Sequence, residues 1–326
     1  MAVNGRKKVN VQYRKLEDLA GAFGAHTLQT ALSASLKHVG AKGTIADSVA
    51  SRQYDGDKDY GTIVLNYVED PSAFFLGEIV RFEPGADLPL LQIGSNVKAY
   101  NLTQAKAPQG HEPIRGVLYF MAIGNHVMVL ESDVSTGRAE KYLGWLLGEA
   151  TATVAAGAHV ILVAELSAQA GATQLSHVEQ VLFKPRAVSP ADPQAPMEPV
   201  TVGATRRDVS DTNTLEVLRA AGMDETDIQK LVGADTTIEV TLQIRFKGHR
   251  RRKPLGIDDA NRLLRNLPED QVTLIGPGGR QREGKIVKLA YPANVELVGS
   301  LLDTRDVARA LHEGYKYFVS NGYIDG

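Results

Sequence analysis

The densest group of side chains with a possible chemical use is a set of cations toward the C-terminal end. Between Arg245 and Lys288, twelve Lys and Arg stand against five Asp and Glu, so the segment has a local net charge of +7. Four cations, Arg250 to Lys253, are consecutive, and such a density repels itself unless an anion is present. The twelve cations are Arg245, Lys247, Arg250, Arg251, Arg252, Lys253, Arg262, Arg265, Arg280, Arg282, Lys285 and Lys288.

Phosphate groups are the anions that suit this pattern. Contacts from Arg and Lys to phosphates release counterions and give an affinity that does not depend on base sequence. If the predicted helix and hairpin that follow the consecutive cations stand beside them, the segment forms one basic surface. Few aromatic residues are interleaved, so a duplex backbone is favoured over stacking on unpaired bases. The sequence therefore predicts binding to double-stranded DNA, and an ordinary solvated charged face is the alternative.

Two loops resemble ligand-binding motifs but lack required residues. The segment from Gly279 to Lys285 has the spacing of a phosphate-binding loop, yet Ile286 stands where the magnesium-binding Ser or Thr belongs. It also lies between predicted strands rather than before a helix, so a hairpin is favoured. The segment from Asp55 to Asp59 begins like a calcium loop, but Tyr60 and Asn66 replace its Gly and bidentate Glu, which favours a solvated turn.

No arrangement of residues indicates catalysis. The eight histidines lack metal-binding spacing, no Ser lies in a Gly-x-Ser-x-Gly turn, and there is no Cys. His126, near a predicted hairpin turn, and His159, in a predicted apolar strand, are interpreted as packing residues. His177 and Glu179 share a strand face, but two ligands do not make a site. The sequence predicts a protein that is not an enzyme and has no cofactor and no metal, while a metal-dependent nuclease or an oligomeric protein-interaction module remain alternatives.

The composition is that of a globular protein. The 326 residues are 43% hydrophobic and 23% charged, which is enough for one large or two ordinary domains. A net charge of −2 does not mark the whole chain as a partner for polyanions. The absence of Cys fits a reducing compartment. No apolar segment follows the basic N-terminus as a signal peptide requires, and the best apolar stretch, Ala150 to Leu166, is too short for a membrane helix. A cytoplasmic location in a bacterial host is expected.

Hydrophobic periodicity predicts a mixed α/β fold of the α+β type, with antiparallel sheets and flanking helices. Strands are expected at 9–14, 61–68, 74–82, 117–123, 127–131, 159–166, 178–183, 238–246, 272–275 and 285–291. Helices are expected from residue 28 to about 39 after a Thr27 cap, at 139–147 with Gly148 as C-terminal cap, at 213–221, 224–232 and 257–267, and at 304–320 after an Asp303 cap.

A proline-rich stretch suggests a boundary between two lobes. Prolines recur at positions 190, 193, 196 and 199 among small and polar residues, which favours an extended connector or a long surface loop. The predicted organisation is an N-terminal α/β lobe at 1–186, a linker or loop at 187–199, and a C-terminal α/β lobe at 200–326 that carries the basic surface.

The order of elements resembles that of the phage exclusion proteins typified by lambda RexA. The resemblance is gapped and spans most of the chain. The residues that carry it are Tyr13-Arg14-Lys15, the strand and turn Leu118 to Asn125, the helix that closes at Leu147, the run Leu215 to Leu218, Arg245-Phe246-Lys247, and the helix Asp258 to Leu267.

The resemblance implies a homodimer that binds DNA with little sequence preference and has an architecture related to the recombination-associated protein RdgC. It also implies a role in a lysogen's exclusion of other phages, beside a small membrane partner similar to RexB. The pair Phe74-Phe75 is a possible exposed apolar edge of the kind that a dimer would cover.

Overall fold

A computed structural model describes residues 5–18, 21–40, 43–55, 61–86, 88–92, 101–164, 180–183, 242–245, 256, 272–276, 281–283 and 288–325. The chain divides into two compact units. The larger consists of Met1–Leu162 together with Ala290–Gly326, and the second, which we call the insert unit, is Val163–Leu289. This division differs from the predicted lobes, because the C-terminal 37 residues return to the first unit.

The strands, numbered in chain order, are β1 Arg6–Leu16, β2 Val39–Gly40, β3 Gly43–Thr44, β4 Gln53–Tyr54, β5 Thr62–Glu69, β6 Phe75–Phe82, β7 Leu88–Gln92, β8 Asn101–Ala105, β9 Ile114–Ile123, β10 His126–Ser132, β11 Leu162–Ala164, β12 Gln180–Phe183, β13 Leu242–Arg245, β14 Val272–Ile275, β15 Gln281–Glu283, β16 Ala290–Val298 and β17 Leu301–Leu302. The described helices are α1 Leu28–Leu36, a 3₁₀ helix Val49–Arg52, α2 Thr136–Gly144, a π-helical turn Trp145–Ala150, and α3 Thr304–Ser320.

A curled nine-stranded sheet forms the larger unit. Its order is β17-β16-β1-β10-β9-β6-β5-β4, and β11 also pairs with β1. Near the middle of the sheet, β1 pairs antiparallel with β16 on one side and with β10 on the other. The first and last strands of the chain therefore complete a single sheet, and the fold is α+β as predicted.

Helices cover both faces of this sheet because its strands alternate apolar side chains between the two faces. Leu118, Phe120 and Ala122 of β9 join one buried cluster with α1, α2 and the π-helical turn. On the opposite face, Tyr13 of β1 packs edge-on against Phe318 of α3, with ring centroids 5.8 Å apart. Both layers exclude water, so few positions in the centre of the sheet are open to a ligand.

Local signals set the ends of the helices. Thr27 and Thr30 form a reciprocal capping box at the start of α1. At the start of α3, the Asp303 carboxylate accepts a hydrogen bond from the Asp306 amide at 2.8 Å. Its last turn closes with paired bonds from Gly322 and Tyr323, and the positive φ of +67° at Gly322 is one that glycine adopts at no steric cost. The Thr27 and Asp303 caps are confirmed.

The insert unit contains a four-stranded antiparallel sheet in the order β13-β12-β14-β15. Register places Val181, Ile244 and Leu274 on one face, and Val181 and Leu274 are fully buried. The neighbouring positions, Leu182, Gln243 and Thr273, form the opposite and more polar face. One face of this small sheet is therefore its core side.

Several predicted elements differ from the observed ones. The helix after Ser135 does not end at Gly148, because that residue lies inside the π-helical turn. The hairpin after β14 is confirmed, but its second strand is β15. The strand predicted at 285–291 is wrong, since β16 begins at Ala290 and belongs to the larger sheet. The predicted helices at 213–221, 224–232 and 257–267 and the connector at 187–199 lie outside the described residues.

Candidate nucleic-acid interface

All twelve cations of the basic segment belong to the insert unit. The structure places three of them, since Arg245 ends β13, Arg282 is central in β15, and Lys288 precedes β16. The remaining nine lie outside the described residues. They are Lys247, Arg250, Arg251, Arg252, Lys253, Arg262, Arg265, Arg280 and Lys285.

Strand register separates Arg245 from Arg282. Their strands form the two edges of the four-stranded sheet, three strand spacings or about 14 Å apart. Arg245 pairs with Gln180, whereas Arg282 pairs with Leu274, which in turn pairs with Val181. Because Gln180 and Val181 are consecutive in β12, the two arginine positions lie on opposite faces of the sheet. The sheet alone therefore does not bring these two positions together on one basic surface.

Lys288 is also unlike an exposed phosphate contact. It is 6% exposed and has at least one polar or electrostatic interaction within the chain. A cation withdrawn from solvent cannot contact a phosphate directly, so the burial of Lys288 does not fit the role predicted for it.

Five further cations, Arg6, Lys7, Lys8, Arg14 and Lys15, lie near the N-terminus, and they differ in their exposure. Arg14 is 1% exposed in the middle of the large sheet, and Arg6 forms a 3.0 Å ion pair with Glu296. Lys7, Lys8 and Lys15 are exposed along β1. Only these three lysines of the group offer cations to solvent without a described ion pair.

A partly buried polar network lies where β5, β6 and β9 meet the start of α3. The Glu78 carboxylate accepts a 2.8 Å hydrogen bond from the Asn66 side chain and a 3.0 Å bond from the Thr304 hydroxyl. Burial, together with the nearby Glu78 charge, raises the pKa of Tyr119 to about 12. The donors satisfy both carboxylate oxygens, so the network joins α3 to the sheet. It was not anticipated from the sequence, because its members lie far apart along the chain.

The histidine predictions have mixed outcomes. His126 is a packing residue as predicted, with Nδ1 2.7 Å from the Tyr13 hydroxyl. Burial and the neighbouring Lys15 charge lower the pKa of His126. His159 is exposed and precedes β11, so its assignment to an apolar strand is wrong. His177 and Glu179 lie outside the described residues, and no group of three or more His, Asp or Glu in the described part could hold a metal ion.

The apolar edge predicted at Phe74-Phe75 is not an edge. Phe75 is fully buried and stacks on Phe120 with ring centroids 5.9 Å apart, while Phe74 contacts His312. Their strand lies inside the sheet, between β9 and β5. The observation that favoured a dimer is therefore removed, and the homodimer remains an implication of the resemblance alone.

No protein family, characterised protein or solved structure matches the chain in sequence or structure comparisons. Among the described residues, no helix has the length and apolar character needed to cross a membrane.

Proposed function

We propose that this protein binds double-stranded DNA without sequence preference and without catalysis, through cations of the insert unit. The supporting observation is the local concentration of cations between Arg245 and Lys288, since the insert unit as a whole has 18 Lys and Arg against 17 Asp and Glu. All twelve cations of the segment with net charge +7 fall within Val163–Leu289. Phosphates are the same in every sequence, so such a surface supplies affinity rather than base recognition.

In the larger unit the described exposed cations are spread along the chain, and they include Lys37, Lys106, Lys141, Arg305 and Lys316 as well as the lysines of β1. Its buried arginines, Arg14 and Arg52, are not available to a duplex, and Arg6, Arg115 and Arg309 form ion pairs with Glu296, Glu83 and Asp306 respectively. Three exposed lysines remain on β1, and they provide a matched control for the insert unit.

The decisive experiment compares two triple variants that remove the same charge. Changing Arg250, Arg251 and Arg252 to Ala is expected to weaken binding to every random duplex by a similar factor. The slope of log affinity against log salt should become shallower by about 0.9 for each phosphate that the protein no longer neutralises. Changing Lys7, Lys8 and Lys15 to Ala should leave both affinity and slope unchanged. Mobility shifts across a salt series measure both quantities.

Three outcomes would contradict the proposal. Parental affinity in the arginine variant would make those arginines a solvated face. A loss confined to the lysine variant would move the interface to β1. A loss confined to one duplex sequence would indicate base readout instead of phosphate contacts.

The biological setting that we propose is exclusion of other phages by a prophage, with the protein acting as a cytoplasmic homodimer beside a RexB-like membrane partner. Its support is the resemblance in element order to phage exclusion proteins. Light scattering at micromolar concentration tests the dimer, and a monomer mass would contradict it. A metal-dependent nuclease remains the competing class, and metal-dependent cleavage of plasmid DNA would favour it.

A further inference from the structure

Arg52 is a buried cation without a counter-ion among the residues that the structure describes. It ends the 3₁₀ helix Val49–Arg52 and is 5% exposed. Its Nη2 donates a long 3.5 Å hydrogen bond to the backbone carbonyl of Asn66, and its Nε is buried without a hydrogen-bond partner. The ion pairs in the described part of the chain involve other arginines.

Such a group is costly to the folded protein. Removing a guanidinium from water costs several kcal/mol unless a charge or several acceptors replace the lost hydration. The same loss of hydration disfavours the charged form and lowers the pKa of Arg52. An arginine presents five donors in a planar fork, and Arg52 uses one of them in a described hydrogen bond. Within the described part of the chain, the buried Nε therefore has a free donor that an oxyanion would satisfy.

Regular strand pairing stops beside Arg52, and a side chain replaces the backbone partner there. The Tyr142 hydroxyl lies between β5 and the residue that precedes β4. It donates a hydrogen bond to the Arg52 carbonyl at 2.6 Å and accepts one from the Leu65 amide at 3.0 Å. The hydroxyl thus takes the place of the next backbone hydrogen bond between β4 and β5. The pairing of β5 with β6 also shifts register just beyond Leu65. The backbone at Arg52 is thus held by a side chain from α2.

An aromatic pair borders the same strand. Tyr54, two residues after Arg52, stacks obliquely on Trp145 with ring centroids 5.1 Å apart, and both rings are half-buried. Trp145 also contacts Tyr142, with ring centroids 5.7 Å apart, and the Tyr142 hydroxyl holds the Arg52 carbonyl, so the ring pair lies beside Arg52. Trp145 opens the π-helical turn, a type of turn that is frequent at functional sites.

We propose that Arg52 is the anchor of an oxyanion-binding site at the β4 edge of the large sheet, bordered by Tyr54 and Trp145. The guanidinium fork pairs with two oxygens of a phosphate or carboxylate group, which supplies a counter-charge that the described residues do not provide. The site lies in the larger unit and takes a small ligand, so it is independent of the proposed DNA interface in the insert unit.

Trp145 makes the test direct, because it is the single tryptophan of the chain and lies at the border of the proposed site. The full-length protein is titrated with inorganic phosphate at constant ionic strength, with sodium chloride as the replacement salt. A saturable change in tryptophan emission and a rise in Tm with phosphate are expected, since a ligand that binds the folded state stabilises it. A nucleoside monophosphate titrated in parallel should bind at the same site, and tighter binding would show that the ring pair also contacts the ligand.

The variants decide whether Arg52 is responsible. Arg52→Met should abolish the phosphate response, and Arg52→Lys, which keeps the charge but loses the fork, should weaken it by about tenfold or more. Arg305→Met removes the same charge from an exposed position on α3 and should respond like the parent. An emission that never departs from the chloride control, or a response that persists in Arg52→Met, would overturn the proposal. If circular dichroism shows that Arg52→Met does not fold, the Arg52→Lys variant decides, and a parental phosphate affinity in it would overturn the proposal.

Discussion

At the scale of single residues, the Tyr142 hydroxyl makes a contribution to the free energy of unfolding that one substitution can measure. It is fully buried and joins the Leu65 amide to the Arg52 carbonyl. Tyr142→Phe would leave both backbone groups buried without partners, so we expect a loss of about 2–4 kcal/mol in unfolding free energy. Urea denaturation measures it. Tyr315→Phe on α3, where no hydrogen bond of the hydroxyl is described, should change stability by less than about 0.5 kcal/mol. Equal effects of the two variants would contradict the bridging role.

His126 supports a prediction about pH. Burial is the main cause of its lowered pKa, the cross-strand neighbour Lys15 adds to the effect, and Asp325 opposes it. Lys15→Ala should therefore raise the pKa of His126, and Asp325→Ala should lower it, each by roughly a few tenths of a pH unit. Titration of the imidazole by NMR tests both signs, and a shift in the same direction for the two variants would contradict the assignment.

The same shift has a consequence for stability. The folded-state pKa of His126 lies below the unfolded value of 6.5, so folding favours the neutral ring. Its contribution is fully present above pH 6.5 and is lost as the pH falls through the folded-state pKa.

At the residue scale, a cluster of charge can be read from the sequence, whereas a buried polar contact cannot. The cationic segment is visible without a fold, because consecutive charges need no tertiary context. Arg52 and Glu78 carry no such signal. Their burial depends on residues such as Tyr142 and Thr304, which lie 90 and 226 positions away in the chain.

At the scale of elements, the packing of α3 on β1 supports a further prediction. A Cβ at Gly314 would lie 2.9 Å from Cγ1 of Val11, a buried β-branched residue that cannot move away easily. Ala normally stabilises a helix interior relative to Gly by about 1 kcal/mol, but overpacking costs about 1–3 kcal/mol. Gly314→Ala should therefore be destabilising on balance.

A double-mutant cycle distinguishes this steric cause from any general effect on the helix. In a Val11→Ala background the clash is removed, so Gly314→Ala should become neutral or stabilising there. Urea denaturation of the four proteins gives the coupling energy. Additive effects of the two substitutions would show that helix and strand do not meet as described.

Elements whose ends are set locally agree with the sequence best. Helix α3 matches its predicted span because the Asp303 cap and the apolar face of Val307, Ala310 and Leu311 are local signals. The π-helical turn and β16 do not follow from local patterns. The turn replaces a predicted cap at Gly148, and the extent of β16 is decided by pairing with Arg6–Gln12 at the other end of the chain.

At the scale of the whole molecule, the proline-rich stretch suggested a boundary that the compact units do not follow. Nothing in composition marks the return of the chain at Ala290, because the pairing of β16 with β1 joins residues between 278 (Gln12 with Ala290) and 290 (Arg6 with Glu296) positions apart. The sequence alone therefore predicts the α+β class but not that the larger unit is discontinuous.

The discontinuity predicts that the insert unit can be removed. Ala290 pairs with Gln12, and Ile161 accepts a hydrogen bond from the Glu17 amide, so the two chain ends lie five residues apart along β1, or about 17 Å. A flexible linker of about eight residues spans that gap with slack. A protein that joins 1–162 to 290–326 in this way should fold with a cooperative urea transition and dispersed NMR signals.

The matched control is the fragment 1–186, which follows the boundary predicted from sequence. It lacks β16, β17 and α3, so β1 would keep an unpaired edge and Tyr13 would no longer be covered by Phe318. Exposed apolar surface and an open strand edge favour aggregation over folding. We expect this fragment to be insoluble or to lack a cooperative transition. Cooperative folding of 1–186, together with failure of the joined protein, would show that the C-terminal strands are dispensable and that the larger unit is continuous after all.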